Sequence, residues 1–177
     1  MPLPQALGDD ATGDDLLIVG DGGSGKTAAA VFAVVHFTRL DDGKRALPVF
    51  VPLPRLKQPQ VVGSGFLDAA IAGALGVDIA LLERTLRKFK VVVVLDSLDE
   101  TAVPDGDWAG MLLRNPLAQR CRIVMTSRPT PLATQKFQSI FGASRRVRHV
   151  TLQPLPPANL ATLFTALIGG VKAVTLP

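Results

Sequence analysis

A glycine-rich segment between a short apolar run and a helix-like stretch is the most distinctive chemical feature of this sequence. Its residues are Gly20-Asp21-Gly22-Gly23-Ser24-Gly25-Lys26-Thr27. They match the spacing G-x-x-x-x-G-K-[ST] at every required position. Glycines allow positive φ angles and close backbone approach, so several N–H groups can surround an anionic phosphate. The following helix adds its own unpaired N–H groups and the positive end of its dipole. The sequence therefore predicts a phosphate-binding loop.

Lys26 and Thr27 carry the side chains that could act on bound phosphates. The Lys26 ammonium would reach the β and γ phosphates, and the Thr27 hydroxyl would bind Mg²⁺. The alternative is a glycine-rich turn in which the Lys-Thr pair is incidental. The apolar run before the segment and the helical pattern after it are the context that the motif requires, and they favour nucleotide binding.

Three carboxylates follow another apolar run further along the chain. This run is Val91–Leu95, and Asp96 comes directly after it. A carboxylate at a strand end beside a phosphate-binding loop can hold Mg²⁺ through water, and we expect Asp96 to do so. Asp99 or Glu100 could activate the attacking water, and we favour Glu100. The alternative is that these acidic residues are ordinary turn or capping residues.

A third polar segment, Thr126-Ser127-Arg128-Pro129, ends the apolar run that begins at Ile123. If this strand lies between the strand before the glycine-rich segment and the strand at 91–95, Arg128 comes near the γ phosphate and could sense its charge. Alternatively, Ser127 caps a following helix, Pro129 begins that helix and Arg128 is solvated. The residues alone leave both interpretations open.

Strand-like and helix-like segments that could position these motifs alternate along the chain. The strand-like runs are 16–19, 48–53, 91–95, 123–126 and 147–152. The helix-like stretches are 26–37, 65–88 (two helices with a break near Gly76), 108–113, 131–141 and 157–168. This alternation predicts an α/β fold with a largely parallel sheet. The segments 16–19, 91–95 and 123–125 are apolar throughout, so the first, third and fourth strands should be central. The proline-bracketed second strand and the charged fifth strand should lie at edges.

The composition restricts the classes of protein. A length of 177 residues with 47% hydrophobic residues suits a single domain, at 15–177, after a loose lead-in at 1–14. The net charge of +4 is too small to indicate direct nucleic acid binding. One cysteine excludes an intrachain disulfide. The sequence shows neither a signal peptide nor an apolar run of about 20 residues, so we expect a cytoplasmic protein without membrane contact.

Together, the three motifs resemble those of the NACHT family of STAND-type P-loop NTPases, the switch modules of many innate-immune and bacterial defence proteins. The resemblance rests on segments 20–27, 95–100 and 125–129 and extends from about residue 16 to residue 155. It implies a three-layer α/β sandwich with a mainly parallel five-stranded sheet in the order 5-1-4-3-2. It also implies ATP or ADP with Mg²⁺, slow hydrolysis, self-association controlled by the nucleotide, and a sensor role for Arg128.

The family's helical lid and winged-helix segments would follow the fifth strand, and we expect them to be absent from this sequence. Two other functions stay open. One is a phosphotransferase that donates phosphate to a small molecule, although we find no arginine-bearing lid segment for it. The other is a non-hydrolysing interaction module that nucleotide merely supports. An Asn-Lys-x-Asp run that would read guanine is absent, which favours ATP over GTP.

Overall fold

The computed structural model describes residues 3–8, 13–39, 46–55, 66–86, 88–100, 118–130 and 146–153. The helices predicted at 108–113, 131–141 and 157–168 lie outside these described residues.

Strands and helices alternate along the described stretches, as the sequence predicts. The strands are β1 Asp15–Val19, β2 Ala46–Pro52, β3 Lys90–Asp96, β4 Arg122–Ser127 and β5 Val147–Thr151. The α-helices are α1 Leu3–Leu7, α2 Lys26–Thr38, α3 Phe66–Leu75 and α4 Ile79–Leu86. Short 3₁₀ turns cover Leu53–Arg55, Leu98–Glu100 and Ala118–Arg120. Among these helices, none is long and apolar enough to cross a membrane.

The strands form a parallel sheet in the order β2-β3-β4-β1-β5. Counted from the other side, this is the predicted order 5-1-4-3-2, so the prediction is confirmed. β4 lies between β1 and β3, which was the condition for placing its last residues near the phosphate-binding loop. Because the strands are parallel, their carboxyl ends share one edge of the sheet. We call this the carboxyl edge, and all three sequence motifs begin there.

Burial of the strands follows their composition. β4 is buried along its whole length, and β3 is buried from Val91 to Asp96. In β5, by contrast, only Val150 is buried. β2 carries Pro48 and Pro52 and lies at the other edge, where the proline nitrogens need no partner strand. The predicted division between central and edge strands is therefore confirmed.

Helices cover both faces of the sheet and give the predicted three layers. On one face, α3 and α4 pack against the sheet through a cluster that includes Ile71, Leu82, Val93, Leu95 and Met125. On the opposite face, α1 and α2 pack through a cluster that includes Leu7, Ala30, Phe37, Val92 and Val94. The break between α3 and α4 falls at Gly76, whose φ of +65° suits glycine.

The N-terminal segment differs from the loose lead-in that its composition predicts, because α1 belongs to the core. Leu7 is 1% exposed, and Arg122 at the start of β4 is 4% exposed. The Arg122 side chain donates to the carbonyl oxygens of Leu7 at 2.7 Å and Asp14 at 2.9 Å. Its guanidinium lies 5.0 Å from the centre of the Phe37 ring. Contacts between residues more than a hundred positions apart in sequence thus fix a segment whose own composition predicts an irregular structure.

Arg122→Met should lower the free energy of unfolding by about 2–4 kcal/mol, because it removes the charged donor to two backbone carbonyls in a buried position. Urea denaturation measures the loss. Arg148→Met is the matched control: Arg148 pairs with Asp14 at 3.0 Å, but its side chain is 44% exposed. Exposed ion pairs contribute less than about 1 kcal/mol. Equal losses in the two variants would contradict the anchoring role of Arg122.

Candidate nucleotide-binding site

The segment 20–27 connects β1 to α2, as the sequence predicts. Its first residue stays attached to the sheet, because the Gly20 N–H donates to the carbonyl of Ser127 at 3.2 Å. A β-carbon at Gly20 would collide with the Ser24 hydroxyl and would lie 3.2 Å from the β-carbon of Leu152. The loop therefore folds back onto its own start so closely that a side chain cannot fit at Gly20.

Positive φ angles shape the rest of the loop. Gly23 has φ +76° and Gly25 has φ +90°, both in the left-handed region that glycine enters without strain. Gly25 is the N-cap of α2, and no side chain caps the helix there. The N–H groups of the first turn, which have no acceptors within a helix, are thus not satisfied by a capping residue. An anion-binding helix N-terminus requires this arrangement.

The Lys26 ammonium lies inside the loop rather than in solvent. Lys26 is 8% exposed, and its Nζ donates to the carbonyl oxygens of Gly20 and Asp21, each at 2.8 Å. These contacts use two of the three donors of an ammonium group. A positive charge is therefore held by the backbone of the loop itself, at the place where the sequence predicts phosphate binding.

The Asp96 carboxylate brings together the first turn of α2 and the ends of β3 and β4. Thr27 Oγ1 donates to Asp96 Oδ2 at 2.9 Å, and Thr126 Oγ1 donates to Asp96 Oδ1 at 2.6 Å. A hydroxyl that donates its proton to a carboxylate keeps its lone pairs for a cation. Mg²⁺ prefers such oxygen ligands. Thr27 and Asp96 therefore fit a magnesium ion beside a phosphate-binding loop.

A sharp corner follows Asp96. Ser97 has φ +63°, and it is the non-glycine residue with positive φ among the described parts of the chain. Its N–H donates to Thr126 Oγ1 at 2.9 Å, and its carbonyl accepts from the N–H of Glu100 at 3.1 Å. The corner directs the following 3₁₀ turn, with Asp99 and Glu100, back toward the end of β4.

Arg128 forms ion pairs with both carboxylates of this turn. Its Nε lies 3.0 Å from Asp99 Oδ2, and a terminal nitrogen lies 3.1 Å from Glu100 Oε1. The Arg128 backbone N–H also donates to Asp99 Oδ1 at 2.9 Å. The Asp99 side chain is 9% exposed, whereas those of Glu100 and Arg128 are 48% and 53% exposed. The Arg128 side chain is therefore paired with carboxylates while more than half of it stays exposed to solvent.

Each candidate site residue lies at the carboxyl edge, in two connected groups. The first group is Lys26 and Thr27 of the loop with Asp96 beside them. In the second group, Arg128 contacts both Asp99 and Glu100. Sequence reasoning gave no role to Thr126, which is fully buried and contacts both Asp96 and Ser97. Its signal was a hydroxyl residue directly after the three apolar residues 123–125 of β4.

The three-layer fold and the loop at the carboxyl edge define a P-loop NTPase. The family model of the NACHT domain matches residues 14–168, and the chain belongs to the NACHT family. The family implies binding of a nucleotide, typically with Mg²⁺, and supports a nucleotide-binding switch module. The resemblance drawn from the three motifs is thereby confirmed.

Solved structures with a similar fold include two proteins of low sequence identity. One is the Aeropyrum pernix ORC1 protein in complex with DNA, with a TM-score of 0.61 and 17% identity over 91% of this chain and 45% of that chain. The other is AMPPCP-bound DnaA from Aquifex aeolicus, with a TM-score of 0.53 and 13% identity over 99% of this chain and 51% of that chain. The chain spans about half the length of these proteins, and the likeness shows the fold alone. A search of curated proteins gave no match.

Ser97→Val should lower the free energy of unfolding by about 2 kcal/mol, because a β-branched side chain is strained at the positive φ of this corner. Ser97→Gly should stay within about 1 kcal/mol of the unchanged chain, since glycine adopts this φ freely. Urea denaturation of the three proteins measures both effects. A valine variant as stable as the glycine variant would contradict the positive φ at residue 97.

Proposed function

We propose that this chain is the ATP-binding, slowly hydrolysing switch module of a cytoplasmic signalling or defence protein. Bound nucleotide would control its self-association. The observation that carries the proposal is the meeting of three motifs at the carboxyl edge, with Thr27 against Asp96 and Arg128 against two further carboxylates. Membership of the NACHT family supports a nucleotide at this edge.

The loop 20–27 would hold the phosphates of ATP or ADP. Lys26 would replace its contacts with the loop carbonyls by contacts with phosphate oxygens, which are stronger acceptors because they are charged. Thr27 and Asp96 would hold Mg²⁺. When bound, the ion neutralises phosphate charge and helps to fix the position of the phosphates. The remaining donors to the phosphates would be backbone N–H groups of the loop and of the first turn of α2.

Arg128 would connect the charge of the nucleotide to the conformation of the acidic turn. Its guanidinium contacts the carboxylates of Asp99 and Glu100 at 3.0 and 3.1 Å. A γ phosphate would compete with these carboxylates for the same guanidinium. ATP and ADP would then leave the acidic turn with different partners. Such differential contacts are what a ligand needs in order to shift a two-state equilibrium.

The same ion pairs support Glu100 as the residue that activates water. Asp99 accepts a hydrogen bond from the Arg128 backbone N–H, forms an ion pair with the Arg128 Nε and is 9% exposed, so it serves to hold the arginine. Glu100 has a single contact with Arg128 and is 48% exposed. Water could reach Glu100, but the carboxylate would first have to exchange its arginine partner. This requirement supports slow hydrolysis.

Lys26→Ala should weaken binding of labelled ATP and ADP by at least about thirtyfold, because it removes a buried cation from the phosphate site. Titrations of the purified chain with and without Mg²⁺ measure the change. Lys88→Ala is the matched control, since Lys88 is exposed and precedes β3 at the opposite end of the strand. It should change affinity by less than about twofold. Unchanged affinity in Lys26→Ala, or no binding by the unchanged chain, would contradict the proposed site.

Glu100→Gln should lower the ATP turnover rate by about a hundredfold while ATP affinity stays nearly constant, because the amide cannot take a proton from water. Phosphate release under single-turnover conditions measures the rate. Glu83→Gln, an exposed change on α4, is the control and should turn over ATP like the unchanged chain.

Light scattering of Glu100→Gln, which would keep its ATP, tests the self-association part of this proposal. Particles should be larger in Mg-ATP than in Mg-ADP. Loss of turnover in Asp99→Asn with normal turnover in Glu100→Gln would exchange the roles of the two carboxylates. If the unchanged chain binds ATP without any turnover, the protein is a non-hydrolysing module.

A further inference from the structure

The Asp96 carboxylate has one dry side and one open side. Asp96 and Thr126 follow the last paired residues of neighbouring strands, Leu95 and Met125, so their side chains stand next to each other. Thr126 is fully buried and Asp96 is 5% exposed, whereas Thr27 on the other carboxylate oxygen is exposed. Among the described residues, the side of the carboxylate that faces Thr27 is therefore the one open to a cation.

The hydrogen bonds of Thr126 fix the direction of its hydroxyl group. An ionised carboxylate can only accept, so the single hydroxyl proton points to Asp96 Oδ1 at 2.6 Å. A lone pair of the same oxygen accepts the Ser97 N–H at 2.9 Å. Donor and acceptor functions are thus both used inside the protein. Thr126 has no further proton to offer to a nucleotide, and its full burial keeps its oxygen away from a metal on the open side of Asp96.

We infer that Thr126 is a positioning residue that sets the strength of Mg²⁺ binding without touching the metal. This inference rests on the proposed function, because Mg²⁺ belongs to that proposal. Thr126 holds Oδ1 of Asp96 on the dry side, and this leaves Oδ2 directed at Thr27. The terminal torsion of an aspartate is broad by itself. A hydroxyl at this place is therefore what selects one orientation of the carboxylate.

Thr126 also holds the corner after the metal site. Ser97 has φ +63°, a conformation that persists where its surroundings enforce it. The bond from its N–H to Thr126 Oγ1 is such a constraint. The acidic turn that carries Glu100 begins at this corner. The same hydroxyl thus orients the metal-binding carboxylate and fixes the start of the turn that would activate water.

The test is the gain in ADP affinity that Mg²⁺ produces, measured as the ratio of dissociation constants in EDTA and in Mg²⁺. Thr126→Val keeps the shape of the side chain but removes the hydroxyl, and it should reduce this gain by about tenfold. Its affinity in EDTA should change by less than about twofold. Thr126→Ser keeps the hydroxyl and should retain most of the gain. Asp96→Asn is the reference for a damaged metal site and should lose the gain.

Thermal unfolding shows whether each variant is folded. If Thr126→Val does not fold, Thr126→Cys replaces it, because a thiol has a similar size and is a weak donor. This variant should lose about threefold of the Mg²⁺-dependent gain. A merely structural role would weaken binding equally in EDTA and in Mg²⁺, and that result overturns the inference.

Two further outcomes separate the inference from the proposed function. If Asp96→Asn loses the gain but Thr126→Val or Thr126→Cys keeps it in full, the positioning role is wrong and the metal site stands. If the unchanged chain binds ADP with no gain from Mg²⁺, the proposed metal site is wrong, and the inference is wrong with it.

Discussion

The carboxylate of Asp96 is the group on which the arrangement of the candidate site depends. Its two oxygens accept from Thr27 on the helix after the loop and from Thr126 on the neighbouring strand. Asp96 is 5% exposed, and a charge in such a position is tolerated only with good hydrogen-bond partners. Parallel pairing of β3 with β4 and of β4 with β1 supplies these partners, because it places all three strand ends at one edge. The strand order is thus a requirement of the site.

The two connected groups of the site differ in their exposure. In the group around Asp96, Lys26 and Asp96 are buried, and the two oxygens of Asp96 accept from different hydroxyl groups. The group around Arg128 is half exposed, and its ion pairs there are weak by comparison. A rigid group suits the binding of phosphate and metal, which gains from preorganisation. The weak, exposed ion pairs of Arg128 suit an exchange of partners. The structure therefore separates the part that would bind a nucleotide from the part that would respond to it.

The sequence predicted those features that depend on local pattern. Apolar composition placed β1, β3 and β4 at the centre, and the glycine spacing placed the loop, because both signals are contained in short segments. The docking of α1 was not predictable in this way, since it depends on Arg122, more than a hundred residues further along the chain. The role of Thr126 was hidden for a similar reason. Nothing in its own segment shows that its neighbour across the ladder is an aspartate.

The pairing with Arg128 gives Asp99 and Glu100 different surroundings. In sequence, the two acidic residues are adjacent and chemically alike. In the structure, the corner at Ser97 turns them to different depths, so that Asp99 receives the backbone and the guanidinium of Arg128 while Glu100 reaches solvent. The left-handed corner explains why a small residue suits position 97, since a branched side chain would be strained there. Through Thr126, this corner is tied to Asp96. A change in the partners of Asp96 would thus reach the corner at Ser97, directly before the turn Leu98–Glu100 that carries the proposed water-activating carboxylate.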